Sequence, residues 1–216
     1  MIIVIEGIDG SGKQTQVDLL VNKLKKDNRE DCVQRVTFPN YESSSSAVVK
    51  MYLNGEFGTD AMEVNPYAAS SFYAVDRYAT IARNREIFMS DYVIADRYSS
   101  SNMIHQAAKL QAGAERNEFW DWVIDFEHHL LGIPEPDLVF FMDIPPELTE
   151  ILVDSREKKF EGGDIHEGDK QYMNSCYECA KMCSEKFGWI TIKCVENGEI
   201  LPPEVIHNSI LKHIKL

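Results

Sequence analysis

An apolar run, Ile2–Ile5, passes without a break into Glu6-Gly7-Ile8-Asp9-Gly10-Ser11-Gly12-Lys13-Gln14-Thr15. Gly7, Gly12 and Lys13 satisfy the G-x-x-x-x-G-K pattern of a phosphate-binding loop. The chemistry explains the spacing. Backbone N–H groups can wrap closely around phosphate oxygens only where side chains are small, and a helix opening at Gly12 adds its positive N-terminal dipole. Lys13 then carries its ammonium to the outer phosphates of a nucleoside triphosphate. The expected contacts to that triphosphate run over Gly7, Gly10, Ser11, Gly12, Lys13, Gln14 and Thr15. One position departs from the pattern. The residue after the lysine is normally a Ser or Thr whose hydroxyl ligates Mg²⁺, and here it is Gln14. Thr15 points about 100° further round the helix, so the metal contact is expected to shift towards Asp9 or Asp96.

The rest of the chain alternates in the manner of an α/β protein. β-type runs recur at Ile2–Ile5, Cys32–Phe38, Tyr92–Ala95, Leu138–Met142 and Trp189–Cys194. Helical periodicity fills Lys13–Lys26, Ser44–Leu53, Pro66–Met89, Phe119–Leu131, Leu148–Lys158, Lys170–Phe187 and Pro203–Ile214. The first and fourth runs are apolar throughout, as strands buried on both faces are. These readings predict a three-layer, doubly wound, parallel five-stranded sheet in a single domain over residues 1–216. Gly162–Gly163, inside the charged stretch Glu157–Asp169, marks an excursion between two helices, expected as a short helical lid at about 155–170.

Composition narrows the partners. Lys and Arg number 22 against 35 Asp and Glu, giving a formal charge of −13, the wrong sign for coating nucleic acid or an anionic membrane. Residues 1–108 hold 11 basic and 14 acidic residues and the remainder 11 and 21, so the acid excess belongs mostly to the later helices. A small anionic substrate in a locally positive cleft is compatible with that balance. The longest apolar runs have five residues, too short to span a bilayer. With no basic flank or long apolar segment at the N-terminus, the expectation is a cytoplasmic chain with reduced thiols. Cys176, Cys179 and Cys183 fall at i, i+3 and i+7, one helix face, and are read as packing residues rather than a metal site.

A guanine-reading Asn-Lys-x-Asp is missing after the last strand, where the sequence is Val195-Glu196-Asn197-Gly198. Three other segments carry more information: Phe72-Tyr73-Ala74-Val75-Asp76-Arg77, Asp96-Arg97-Tyr98-Ser99-Ser100-Ser101-Asn102 and Pro136-Asp137-Leu138. With the glycine loop and its Asp9, and in this order from Ile2 to about Tyr172, they resemble the thymidylate kinase family of P-loop nucleoside monophosphate kinases. The resemblance implies transfer of a phosphoryl group from ATP to dTMP with Mg²⁺, in a homodimer packed through helices. It implies that Asp9 contacts the acceptor sugar and that Phe38 lies in the loop beside the acceptor phosphate. Phe72 matches the aromatic stacked on thymine, and Arg77 the arginine reading a thymine carbonyl. Ser101 and Asn102 match polar positions facing the base, and His105 stands where many members have a tyrosine crowding the ribose. Arg97 matches the arginine bridging acceptor and donor phosphates, Asp96 the acid near the metal, and Arg156 the basic lid over ATP.

The physics of the site agrees with such a set. A planar pyrimidine is held by a stacking face and a few fixed hydrogen bonds, and phosphoryl transfer depends on positioning and charge neutralisation. Departures remain. No arginine accompanies Phe38-Pro39, and Arg35 is displaced along the strand. Read without the resemblance, Phe72 serves equally as core and Arg77 as a partner for Asp76 or Glu63. Two other functions stay open: a deoxynucleoside kinase, with Glu6 the nearest acid to deprotonate a 5′-hydroxyl, and a catalytically weak nucleotide-binding paralogue, suggested by Gln14 and the missing arginine.

Overall fold

The computed structural model describes residues 1–27, 30–60, 62–153 and 170–214. Five strands, β1 (Ile2–Glu6), β2 (Val33–Thr37), β3 (Tyr92–Asp96), β4 (Leu138–Asp143) and β5 (Ile190–Lys193), form one parallel sheet in the order β2-β3-β1-β4-β5. Each expected strand is present, and their parallel pairing follows from the helical crossovers between them. In β1, Ile3 and Ile5 face the first helix α1 (Lys13–Asp27), packing with Val17, Leu20 and Leu24, and with Ile206 and Ile210 of the C-terminal helix. Ile2 and Val4 face the other side with Val93, Ala95 and Val139. Ile3, Val4 and Ile5 are fully buried, each contributing at most about 1.5–3 kcal/mol of apolar transfer.

The helices differ from expectation mainly at their ends. The stretch from Ser44 opens as a 3₁₀ turn, Ser44–Ser46, before α2 (Ala47–Leu53). α3 (Pro66–Arg83) starts from an Asn65 cap, whose side chain accepts from Tyr67 N and Ala68 N, with Pro66 in the first turn. It stops at Asn84, and Ile87–Met89 forms a separate 3₁₀ turn. α4 (Ser99–His105) has little apolar periodicity and was not expected as a helix. α5 (Ala114–Ile124) runs into a π-helical turn, Asp125–Leu130. α6 (Pro146–Val153) begins two residues before the expected start, and α7 (Lys170–Phe187) has the expected bounds. β6 (Val195–Glu196) and β7 (Glu199–Ile200) pair antiparallel across Asn197-Gly198, both at positive φ, a two-residue hairpin turn. α8 (Pro203–Leu211) closes the chain. The Cys176–Cys179–Cys183 face of α7 is buried against Met103, Trp120 and Phe119. Expected features at 154–169, including the lid and Arg156, lie outside the described residues. Among the described residues, no helix is long and apolar enough to cross a membrane.

Candidate active site

β1 is central; the chain leaves it towards β2 on one side of the sheet and later crosses from β3 to β4 on the other, so a crevice opens where β1 and β3 end. Register places Asp96 beside Ile5 and Thr37. The glycine loop emerges from β1 directly above. Gly7 has φ +155, and a Cβ there would lie 2.6 Å from Ser11 Oγ and 3.2 Å from Met142 Cβ, so only glycine keeps the loop this close to β4. The Lys13 side chain is folded back into the loop, where Nζ donates to Gly7 O at 2.9 Å and Ile8 O at 2.8 Å. Burial first, and the Arg97 cation second, lower its pKa to about 8. Gln14 and Thr15 are exposed on the first turn of α1.

Arg97 follows β3 in a left-handed backbone conformation, φ +65, a geometry costing a residue with a Cβ roughly 1–3 kcal/mol. That turn sends its guanidinium across the crevice. Nη2 donates to Asp9 Oδ1 at 2.5 Å, and Nη1 lies 2.9 Å from His105 Nε2 and 3.4 Å from Ser101 Oγ. Burial alone would lower the Arg97 pKa, but Asp9, Glu6 and Asp96 override it and raise it. The resulting cleft, about 90 Å³, is lined by Asp9, Ser11, Lys13, Gln14, Asp96 and Arg97. The sequence assigns Ser11, Lys13, Gln14 and Arg97 to phosphates, Asp9 to the acceptor sugar and Asp9 or Asp96 to the metal, and the fold brings them together.

The oxygen donors Asp9, Asp96 and Gln14 on one small cleft fit Mg²⁺, which keeps most of its ligands as water and phosphate and needs only one or two carboxylates. Consistently, no cage of three or more metal-ligating side chains occurs among the described residues.

Glu6 was the one candidate base for a 5′-hydroxyl. It is fully buried and accepts from Tyr98 N at 3.1 Å, from Ser100 Oγ at 2.8 Å and from Ser101 Oγ at 2.8 and 3.0 Å. That carboxylate caps the start of α4 in place of a side-chain cap at Tyr98, and its oxygens are already occupied.

The base-side residues lie on α3 and α4. Phe72 is half-buried, its ring 5.4 Å from that of Phe57 and 6.3 Å from that of Tyr52. Phe38 is buried rather than open to the cleft, edge-on to Tyr98, with the Arg77 guanidinium 5.8 Å from its ring centre. Arg77 does not pair with Asp76 or Glu63. Its Nε and Nη2 bind the Glu127 carboxylate at 2.7 and 2.8 Å, with both residues buried. Asp76 instead ties the loop after β2 to α3, accepting from Asn40 N at 2.8 Å and Ser45 Oγ at 2.5 Å. Arg35 pairs with Asp18 at 2.5 Å on an exposed face, away from the cleft. Glu127 was missed in the sequence, and a lone acid between aromatic and histidine residues carried no pattern that would have singled it out.

A five-strand β2-β3-β1-β4-β5 sheet, with a glycine loop feeding a helix and Arg97 beside Lys13 in the crevice, defines a P-loop kinase fold. The thymidylate kinase family model matches residues 5–200. The thymidylate kinase of Mycobacterium tuberculosis is 35% identical over 151 residues, 69% of this chain and 68% of that protein. The thymidylate kinase of Plasmodium falciparum is 27% identical over 98% of this chain and 88% of its own length. The solved thymidylate kinase of Candida albicans superposes with a TM-score of 0.70 at 18% identity, covering 98% of this chain and 89% of that one. The chain belongs to the thymidylate kinase family.

Proposed function

We propose that this chain, as one kinase unit over residues 1–216, transfers the γ-phosphoryl group of ATP to dTMP, giving dTDP and ADP in the cytoplasm. The observation that carries the reading is the convergence of Lys13, Arg97, Asp9 and Asp96 on one cleft at the ends of β1 and β3, in a chain of this family. The glycine loop, with Gly7, Gly10, Ser11, Gly12, Lys13, Gln14 and Thr15, takes the triphosphate of ATP. Lys13 exchanges the Gly7 and Ile8 carbonyls for phosphate oxygens. Asp96 and Asp9 would hold Mg²⁺, which would supply neutralisation of phosphate charge. Arg97 lies between donor and acceptor phosphates, with Asp9 and His105 fixing its guanidinium. Phe72 supplies the stacking face for thymine, Arg77 and Asn102 its polar edge, and Ser101, Phe38 and His105 complete the acceptor side. Arg156 contributes a further positive charge to ATP.

The acceptor phosphate, with a second pKa near ~6, is already a nucleophile at pH 7, so no general base is required. The occupied Glu6 carboxylate argues against a nucleoside acceptor. Exposed apolar residues one turn apart on two packed helices, Val48 and Met51 on α2 and Val75 and Tyr78 on α3, support a homodimer. Purified protein assayed with ATP and a panel of acceptors tests the reading. Turnover of dTMP well above CMP, AMP, GMP and thymidine is expected, and equal rates with CMP would overturn it.

A further inference from the structure

Arg77 on α3 and Asn102 on α4 have a common partner. Glu127, in the π-helical turn after α5, accepts from Arg77 Nε through Oε2 at 2.7 Å and from Arg77 Nη2 through Oε1 at 2.8 Å. The same Oε1 accepts from Asn102 Nδ2 at 2.8 Å, and Nδ2 also donates to Ser70 O at 3.2 Å. All three side chains are buried, at 2% exposure or less.

A carboxylate paired with a guanidinium, and a backbone carbonyl, can only accept. The Asn102 atom that faces them must therefore be its nitrogen, and its Oδ1 is turned the other way. The bidentate grip on Nε and Nη2 likewise leaves Arg77 Nη1 as its open corner. Among the described residues, neither Asn102 Oδ1 nor Arg77 Nη1 has a hydrogen-bond partner. One oxygen, Glu127 Oε1, joins the two side chains, so the donor Arg77 Nη1 and the acceptor Asn102 Oδ1 belong to one buried network with fixed polarity.

We propose that Glu127 is a specificity-determining positioning residue: it sets the polarity of the Arg77–Asn102 pair so that the pair matches thymine and opposes cytosine. Thymine presents its O4 acceptor beside an N3–H donor, whereas cytosine presents an N4 amino donor beside an N3 acceptor. An Arg donor beside an Asn acceptor fits the first and leaves buried groups unpaired against the second, and such mismatches discriminate strongly. Glu127 reaches both α3 and α4 from within the π turn. This inference rests on the dTMP kinase reading.

Two variants test it. In Glu127→Gln, the amide nitrogen meets Arg77 in either orientation, and at the Oε1 position it also meets Asn102 Nδ2, whose amide is then free to turn outward. The ratio of kcat/KM for dTMP over dCMP is expected to fall at least about tenfold, with KM for ATP unchanged. Glu127→Asp retains both acceptors and is expected to keep the ratio within about threefold while lowering kcat/KM. A ratio that stays put in Glu127→Gln while the melting temperature drops makes Glu127 structural only and overturns the proposal.

Asn102→Asp gives an answer even if Glu127→Gln does not fold. Two facing carboxyls must share a proton, and only the protonated Asp keeps the donor-inward, acceptor-outward polarity. Its dTMP kcat/KM, taken relative to the unsubstituted enzyme, is expected to fall as pH rises and the shared proton is lost. A flat relative profile overturns the proposal. Absence of any dTMP turnover in the unsubstituted protein is a different result, which overturns the kinase reading itself.

Discussion

The Arg97 guanidinium spans the mouth of the phosphate cleft to Asp9, Nη2 to Oδ1 at 2.5 Å, while its other terminal nitrogen rests on His105 Nε2 at 2.9 Å. These residues come from the loop after β1, the end of β3 and helix α4, so one side chain ties together the donor loop and the acceptor wall. Its left-handed backbone is held by Arg97 N on Ile5 O at 3.4 Å. On the proposed function, an arginine held in this way needs little reorganisation during transfer.

Arg97→Ala is expected to lower kcat about 10²–10³-fold with a native fold, because a fixed charge is removed from the transferring group. Arg97→Lys is expected to recover only part, since a point charge cannot keep Asp9, His105 and phosphate together. Steady-state kinetics with circular dichroism as the folding control checks this. A Lys variant at full activity would argue for charge alone.

Nucleotide binding is expected to take up a proton at pH 8.5 and not at pH 6.5. In the unliganded protein, burial lowers Lys13 to about 8, so at pH 8.5 much of it is neutral, and an incoming triphosphate restores the charge. Calorimetry in buffers of different ionisation enthalpy reads the uptake. The sign also applies to stability: the cost of burying the charged lysine is fully present below pH 8 and is relieved as pH rises from about 8 towards 10.5. Lys13→Met is expected to remove that part of the pH dependence in thermal melts.

Gly7→Ala is expected to be more damaging than Gly12→Ala. Both positions have positive φ, but a Cβ at Gly7 meets Ser11 Oγ at 2.6 Å and Met142 Cβ at 3.2 Å, whereas nothing lies within 4 Å at Gly12. Backbone strain alone costs about 1–3 kcal/mol, and the clash at Gly7 adds to it. Melting temperature and ATP affinity are the readouts, and equal losses at the two sites would count against the close loop–β4 approach.

Arg77→Ala is expected to destabilise the fold by about 3–5 kcal/mol, because it leaves Glu127 charged and buried without its partner. Arg35→Ala, which removes an exposed pair with Asp18, is expected to cost at most about 1 kcal/mol. Denaturant unfolding of the two variants compares them directly.

Thiol labelling of the native protein is expected to show one accessible cysteine, Cys32, with the other four reacting only after unfolding. Cys176, Cys179, Cys183 and Cys194 are fully buried. Burial also raises the Cys194 pKa to about 12 and pushes Cys176 and Cys183 up, so little thiolate is available. Two or more fast-reacting thiols would contradict the packing of α7 or of Cys194 after β5.

Much of the architecture was legible because it depends on local signals. All-apolar runs identify strands buried on both faces, and the glycine loop announces its own turn. Asn65-Pro66 signals a helix start through capping chemistry. The ends of the helices were less legible. The continuation of α3 to Met89 failed because Asn84 stops the helix, and α5 starts earlier and widens into a π turn. α4 was invisible as a helix because its serines are not there for an apolar face. Ser100 and Ser101 bind Glu6, a residue more than ninety positions away in sequence.

The same division runs through the site. Composition, spacing and motif by themselves determined a nucleotide-binding loop, the fold class and the family, because phosphate cradles and buried parallel strands require particular residues at short fixed intervals. Only the tertiary structure decided the partners. It paired Arg77 with Glu127 rather than Asp76, left Arg35 on the surface, saturated Glu6 and set the Asn102 amide. Those outcomes depend on where distant segments meet, and a buried charge takes whichever counter-charge the packing brings within hydrogen-bond reach. No local pattern in a single chain encodes that choice.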